Sequence, residues 1–249
     1  MLLTLHGTGG GAPNADRLAS AASVRFSDGS IVLFDAGEGC SRALCRDGVD
    51  LLKIDRVLVS HMHADHWCGL PGLVTAWSIA RRESAVDIHL PFGMIPFFQS
   101  VLVNSLSFAA KRSYTIHYHP LAPLPLPDGW SLSLFPTSHL DGVAELAAVE
   151  GLHARAYGYL LSNGRRRIVL SADLGAQEDL DGVIEDAELL VCESTHVDPA
   201  ELLRFARDRS VRRVLFTHLP PGDAKFPESF EGMEWGVASD GERVEVGSG

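Results

Sequence analysis

The stretch SHMHADHWCGLPGL, Ser60–Leu73, contains three histidines and an aspartate within six residues, directly after the apolar run VLV. Alternate residues of an extended segment point to the same side, so His61 and His63 can share one metal ion. Asp65 and His66 follow where the chain turns into the next predicted helix, and they can face a second ion. Imidazole and carboxylate ligands suit Zn²⁺, Mn²⁺ or Fe²⁺ better than Ca²⁺ or Mg²⁺ alone. The alternative is a polar surface loop with chance histidines, which this density of ligand-type side chains disfavours.

Length, charge and cysteine usage favour one domain over residues 1–249, in a cytoplasmic protein. The chain has 249 residues, enough for a substantial core. The chain has 21 Lys+Arg and 32 Asp+Glu, which gives a net charge of −11. This charge argues against an extended positive surface that would bind nucleic acid. No apolar run approaches a membrane span, and the apolar start breaks at His6, too early for a signal peptide. The four cysteines form no CxxC pair, so reduced thiols are expected.

Strands and helices alternate along the chain in the manner of a layered α/β domain. The proline-rich segment His119–Gly129 is predicted to connect two halves of one fold. The predicted strands lie near Leu2–His6, Ala21–Phe26, Ile31–Asp35, Arg56–Ser60, Asp87–Leu90, Ser131–Pro136, Ala156–Ser162, Arg166–Ser171, Leu189–Glu193 and Arg213–Thr217. The predicted helices are Glu38–Arg46, Leu70–Arg82, Met94–Phe108 and Pro199–Asp208.

Three further ligand-type side chains follow predicted strands directly. LFPTSH ends at His139, IVLSAD ends at Asp173 and VLFTH ends at His218. Sites in α/β proteins gather where strands end along one sheet edge. A single histidine in such a place is more often a capping or core residue. Three such ends, together with the turn Ser60–His66, predict a site for two metal ions.

This combination of HxHxDH with a distant His, Asp and His resembles the metallo-β-lactamase superfamily, and more narrowly its ribonuclease Z branch. The segments that carry the narrower resemblance are GTGGGAP from Gly7, LFDAGEG from Leu33, YGY at Tyr157–Tyr159, SAD at Ser171–Asp173 and THLP at Thr217–Pro220. The resemblance implies a four-layer αββα sandwich with the metal site at one edge of the two sheets. It also implies a metal-dependent hydrolase with two divalent ions, zinc by preference and manganese or iron as alternatives.

Carried over residue by residue, the family pattern assigns every predicted ligand to an ion. It implies that His61, His63 and His139 hold one ion, that Asp65, His66 and His218 hold the other, and that Asp173 bridges them. Ions about 3.5–4 Å apart activate a water molecule and clamp the phosphate under attack. Asp65 can also accept a proton from that water.

His196, in CESTHVDPAELL, is predicted to act without binding metal. The resemblance implies that it donates a proton to the leaving oxygen, a role for which histidine is suited near neutral pH. The alternative is that His196 merely precedes a helix that Asp198 caps, with Pro199 as its first residue. Glu193 is predicted to orient His196 or a ligand, and a structural salt bridge is its equal alternative.

The segment between Leu70 and Ser138 narrows the range of expected substrates. No long glycine- and proline-rich arm, typical of tRNA 3′-processing relatives, is found there. Instead FGMIPFFQSVLVNSLSF, Phe92–Phe108, is apolar and favours packing, a pocket wall or a homodimer contact. The expected substrate is a small or cyclic nucleotide-like phosphodiester, or an RNA 3′ end. A lactone, thioester or sulfate-ester hydrolase is the alternative, and a non-catalytic metal-binding regulator is the least favoured because all seven ligands are present.

Overall fold

The computed structural model describes residues 1–222 and 225–246, and the chain divides into two compact units. The first unit comprises Met1–Ala122 and the chain from Ser239 onward, and the second comprises Pro123–Ala238. The division falls inside the proline-rich segment that the sequence predicts as a connection. Within the part of the chain described, no helix combines the length and apolarity that a membrane crossing requires.

The first unit is built on a mixed sheet of seven strands. In chain order these are β1 Leu2–Gly7, β2 Ala21–Arg25, β3 Ile31–Phe34, β4 Ile54–Leu58, β5 Val86–Leu90, β6 Ile116–Pro120 and β14 Glu242–Glu245. Their order across the sheet is β14-β1-β2-β3-β4-β5-β6, with β3 to β6 parallel and the other pairs antiparallel. The helices of this unit are α1 Cys40–Arg46, α2 Ala64–Trp67, α3 Leu70–Ile79 and α4 Ile95–Asn104.

Helix α3 fixes the position of the loop that follows β4. Its residues Leu70, Leu73, Val74 and Trp77 are fully buried, at the i, i+3, i+4, i+7 spacing of one helix face. They belong to one apolar cluster with side chains of β3, β4 and β5. Burying each such side chain stabilises the fold by about 1.5–3 kcal/mol. The HxHxDH segment therefore runs between a buried strand and a firmly packed helix.

The second unit is built on another mixed sheet of seven strands. They are β7 Leu124–Pro125, β8 Ser131–Thr137, β9 Ala156–Ser162, β10 Arg167–Leu170, β11 Leu189–Glu193, β12 Arg213–Thr217 and β13 Glu234–Val237. The order is β13-β12-β11-β10-β9-β8-β7, with β10 to β13 parallel and the remaining pairs antiparallel. The helices of this unit are α5 Ala144–Val149 and α6 Pro199–Arg207.

The directions of these strands bring the carboxyl ends of four strands to one edge of the second sheet. Strands β10, β11 and β12 are parallel neighbours, and β8 runs in the same direction because two antiparallel pairings separate it from β10. The segments that leave this edge carry His139, Asp173, His196 and His218. Helix α6 begins just after His196, where the Asp198 side chain accepts a 2.9 Å hydrogen bond from the Glu201 backbone N–H.

Helix α4 is shorter than the sequence pattern predicts. The expected helix reaches Phe108, whereas α4 ends at Asn104. Leu106 adopts a left-handed conformation with φ of 59°, and the Ser107 N–H donates to the Leu102 carbonyl over 2.9 Å. This is the hydrogen-bond pattern of a Schellman C-cap, with leucine where glycine is usual. The apolar residues continued the helical pattern, so the cap was not recognisable from the sequence.

Candidate metal centre

In the first unit, the loop after β4 gathers the four ligand-type side chains of HxHxDH. The ring centroid of His61 lies 4.1 Å from that of His66 and 4.8 Å from that of His63. Asp65 Oδ2 lies 3.4 Å from His66 Nε2. His61 and His66 are buried, His63 is exposed and Asp65 is half-buried. The segment therefore places His61, His63, Asp65 and His66 as a group that is only partly open to solvent.

Asp35, at the end of β3, sets the orientation of two of these rings. His66 Nδ1 lies 2.7 Å from Asp35 Oδ2, so it donates to this carboxylate, and Nε2 is the atom that could bind a metal ion. Ser60 donates to Asp35 through its backbone N–H and its hydroxyl, over 2.7 and 2.9 Å. The Ser60 hydroxyl oxygen also lies 3.1 Å from His61 Nδ1. Asp35 itself is left-handed, with φ of 58°, a strained conformation for a residue with a side chain.

Two glycines allow the backbone of this loop to pack closely. A Cβ atom on Gly37 would lie 2.1 Å from the Asp65 carbonyl oxygen, and one on Gly69 would lie 2.1 Å from the Gly37 carbonyl oxygen. Backbone bonds hold the same contact, since Ala36 donates to the His66 carbonyl over 2.7 Å and Gly69 donates to the Ala36 carbonyl over 2.8 Å. A side chain at either glycine would push the ligand loop away from the end of β3.

In the second unit, Asp173 faces two histidines with one oxygen for each. Its Oδ2 atom lies 3.5 Å from His139 Nε2, and its Oδ1 atom lies 3.4 Å from His218 Nε2. Ligands that bind one zinc ion at about 2.0–2.2 Å in tetrahedral geometry are separated by about 3.4 Å. The donor set and its spacing therefore suit metal binding by Asp173, His139 and His218.

Backbone and hydroxyl contacts hold this second group in place. Asp173 follows Ala172, which has φ of 49°, and His218 has φ of 50°. The Thr195 hydroxyl donates to the His218 carbonyl over 2.6 Å and lies 3.2 Å from His218 Nδ1, which directs Nε2 toward Asp173. Asp179 accepts hydrogen bonds from the backbone N–H groups of Ser138 and Gly175, over 3.0 and 2.9 Å. It thereby ties the loop of His139 to the loop of Asp173.

His196 and Glu193 lie beside His139 and His218, the two histidines of the same unit that are predicted to bind metal. The His196 ring centroid lies 4.7 Å from that of His139 and 6.1 Å from that of His218. His196 Nδ1 is 3.1 Å from Oε1 of Glu193, which is fully buried, whereas the His196 side chain is 34% exposed. The Nδ1 side of the His196 ring is therefore held by Glu193.

The structure thus divides the predicted ligands between the two units, four in the first and three in the second. Sequence reasoning assigned no role to Asp35, Thr195 or Asp179, although each contacts a predicted ligand or its loop. Asp35 stands in LFDAGEG and Thr195 in CEST, so both were visible as motif positions. Nothing in the local sequence of Asp179 indicates its function, because the contact that joins the two loops is made with Ser138, 41 positions away.

Residues 16–218 match the family model of the metallo-β-lactamase superfamily, and the chain belongs to that superfamily. Among curated proteins it is similar to ribonuclease Z of Bradyrhizobium diazoefficiens, with 25% identity over 87% of the chain and 89% of that protein. It is 28% identical to ribonuclease Z of Salinispora arenicola, over 87% of the chain and 84% of that protein. Among solved structures, human tRNase Z, short form, superimposes with a TM-score of 0.79 and 21% identity over the whole of both chains.

These comparisons confirm the resemblance that the motifs indicated. The superfamily and its αββα fold, the likeness to the ribonuclease Z branch and the class of metal-dependent hydrolase are as predicted. His and Asp clusters suited to metal binding are present at both sheets.

Proposed function

We propose that the chain is a phosphodiesterase in which the seven ligand residues together hold two divalent metal ions. The observation that carries the proposal is Asp173, whose two oxygens face His139 and His218 separately. A carboxylate placed in this way could serve two ions, and HxHxDH in the first unit would supply the remaining ligands. The ligands proposed for the first ion are His61, His63 and His139, and those for the second are Asp65, His66 and His218. Zinc suits this imidazole-rich set, with manganese and iron as alternatives.

The metal pair, when bound, activates a water molecule and neutralises charge on the phosphate. The chain's own residues move the protons. Asp65 accepts a proton from the attacking water, and its half-buried position beside His66 keeps it near the ligands. His196 donates a proton from Nε2 to the leaving oxygen, because an alkoxide leaves slowly unless it is protonated. Glu193 holds the Nδ1 side of that ring and fixes its orientation.

The proposed substrate is a small or cyclic nucleotide-like phosphodiester, or an RNA 3′ end. Similarity to ribonucleases Z along most of the chain supports phosphodiester chemistry. The segment Leu70–Ser138 is occupied by α3, β5, α4, β6, β7 and β8, which leaves little room for a tRNA-binding arm. The net charge of −11 further disfavours an extended grip on a polynucleotide.

An assay with bis(p-nitrophenyl) phosphate tests this function. Apoprotein reconstituted with Zn²⁺, Mn²⁺ or Fe²⁺ is expected to release nitrophenolate, and chelation is expected to abolish the release. Lactone, thioester and sulfate-ester substrates are assayed in parallel under the same metals. No diester turnover with any metal, together with cleavage of one of the other esters, would assign the alternative chemistry. No turnover of any substrate would favour the non-catalytic alternative.

We also propose a reducing, cytoplasmic location and a homodimer of single-domain subunits. Cys40, Cys45, Cys68 and Cys192 are all free thiols, and burial raises the pKa of the Cys40 thiol to about 12.

Apolar side chains on and after α4, including Val103 and Leu106, are exposed and support a subunit contact. Sedimentation analysis of the purified chain tests the dimer, and a monomer at micromolar concentration would contradict it.

A further inference from the structure

A cavity of about 390 Å³ in the first unit opens beside the ligand-type residue Asp65. Its walls are the glycine-rich loop after β1, the start of α1 and the start of α2. A Cβ atom on Gly11 would lie 3.4 Å from Asp65 Oδ2, so the loop backbone runs directly past that carboxylate. Pockets for small ligands have volumes of about 300–1,000 Å³. The cavity is therefore large enough for a group of nucleotide size next to the proposed reaction centre.

Two arginines, Arg17 and Arg42, line this cavity. Arg17 is partly held, since it donates to the Thr8 hydroxyl over 2.6 Å. Arg42 is exposed on α1 and makes no hydrogen bond or ion pair within residues 1–222 and 225–246. One helical turn later, by contrast, Arg46 is bound to Asp47 over 2.7 Å. In a chain with eleven more acidic than basic side chains, an exposed arginine that makes no ion pair and lines a cavity is available to bind an anion.

Glu38 limits which anions fit. It lines the same cavity, and its charge adds to that of Asp65 in raising the pKa of Cys68, after the larger effect of burial. A phosphate in this cavity would bind to Arg42 and Arg17, and the Glu38 carboxylate would accept hydrogen bonds from sugar hydroxyls. A nucleotide residue offers both groups together. A free polyanion without hydroxyls would meet repulsion from Glu38 and gain nothing in return.

We propose that this cavity is a subsite for a second, terminal phosphate of the substrate, with Arg42 as a specificity-determining residue. The proposal rests on the phosphodiesterase function proposed above and narrows its substrate. The scissile phosphodiester lies at the metal ligands, and the nucleotide on one side of it places its terminal phosphate against Arg42 and Arg17. The substrate class is thus a short oligonucleotide or nucleotide diester that ends in a phosphate, and not a neutral-ended diester.

The test compares three dinucleotides with the same internal linkage: UpU, pUpU and UpUp. For wild-type protein, kcat/KM is expected to be about 10- to 100-fold higher for one of the phosphorylated forms than for UpU, the range of a charge-assisted hydrogen bond. The preferred form identifies which end occupies the cavity. In Arg42→Gln this ratio is expected to fall to within about threefold of one, with Arg42→Lys intermediate. In Glu38→Gln the ratio is expected to rise, because a repulsive charge is removed.

Arg25→Gln is the matched control, because Arg25 is exposed on β2 and does not line the cavity. Its ratio is expected to equal that of wild type. Equal kcat/KM for the three dinucleotides, or a ratio that Arg42→Gln leaves unchanged, overturns the subsite while the hydrolytic function stands. If wild-type protein cleaves neither the dinucleotides nor bis(p-nitrophenyl) phosphate with any metal, the proposed function fails as well, and the two failures are thereby distinguished.

Discussion

His196 and Glu193 form the pair on which the proposed proton transfer depends. Glu193 accepts hydrogen bonds from the backbone N–H groups of Thr195, His196 and Leu174, over 2.6, 2.9 and 3.3 Å. A buried carboxylate with this many donors has its hydrogen-bonding capacity satisfied and is held in one orientation. The same carboxylate receives His196 Nδ1, so the ring direction is fixed by groups that do not themselves react. This geometry favours the orienting role of Glu193 over that of an isolated salt bridge.

His196→Ala is expected to lower kcat for dinucleotide cleavage by about 10²–10⁴, the usual contribution of a general acid. The loss is expected to be far smaller for bis(p-nitrophenyl) phosphate, because nitrophenolate leaves without protonation. Steady-state kinetics on both substrates, with metal content measured on the same samples, provide the check.

His153→Ala, on the exposed surface, is the control for His196→Ala and is expected to change neither rate. Equal losses on the two substrates would show that His196 supports the structure and does not donate the proton. Loss of metal from His196→Ala would likewise remove the general-acid assignment.

His89, on β5, predicts an acid-sensitive contribution to stability. Burial, followed by the charge of His119, lowers its pKa from 6.5 to about 4. Between these values the unfolded chain binds the proton and the folded chain does not, so the free energy of unfolding falls as pH decreases from 6.5 to 4. The effect is at most about 3 kcal/mol. His89→Gln is expected to flatten the dependence of Tm on pH in this window, whereas His153→Gln is not. An unchanged slope in His89→Gln would contradict the assignment.

At the scale of single elements, the junction between β3, α2 and α3 decides whether the ligand loop is formed. Gly69 caps α3 and has no room for a side chain. Gly72 lies within α3, where a Cβ atom would lie 3.8 Å from Ser41 Oγ. Gly69→Ala is expected to destabilise the protein by more than about 2 kcal/mol and to lower metal affinity.

Gly72→Ala is the matched substitution in the same helix. It is expected to stabilise the protein by about 0.5–1 kcal/mol, because alanine favours a helix interior over glycine. Thermal denaturation of both variants, with metal content measured alongside, tests the contrast. Similar Tm values for the two variants would show that the close approach at Gly69 is not required.

The strongly apolar elements were predictable from the sequence, and the weakly patterned ones were not. Strand β3 is buried on both faces and α3 shows a full apolar stripe, and both were predicted within a few residues. Strand β6 has the sequence IHYHP, whose polar residues mark an exposed edge and carry little strand signal. Helix α5 has no buried residue, and β14 is defined by its pairing with a strand more than 230 positions away. Such elements depend on tertiary context.

The candidate site was predictable where its residues form a local pattern in the sequence. Ligand-type side chains at strand ends form a local pattern, so the seven proposed ligands could be named from the sequence. The residues that orient them act through distant contacts. Asp35 reaches His66 across 31 positions and Thr195 reaches His218 across 23, distances over which spacing carries no information.

At the scale of the whole molecule, the chain builds one sheet, continues into the other and returns to complete the first. Strand β14 pairs with β1, and Asp240 beside it accepts hydrogen bonds from the backbone N–H groups of Thr8 and Leu18, over 2.9 and 2.8 Å. Asp240, just before β14, therefore holds both sides of the glycine-rich loop after β1, which lines the proposed subsite. The structure divides into two compact units. The assignment of all 249 residues to one domain therefore stays a prediction.

The central claim is that four ligands of the first unit and three of the second serve a pair of ions that act together on a phosphodiester. Titration of Zn²⁺ into the apoprotein, followed by the rate of bis(p-nitrophenyl) phosphate hydrolysis, tests it most directly. The rate is expected to rise until two equivalents are bound per chain and then to level off, and Asp173→Ala is expected to abolish the rise. A plateau at one equivalent, or binding of less than one ion per chain, would contradict the two-metal centre.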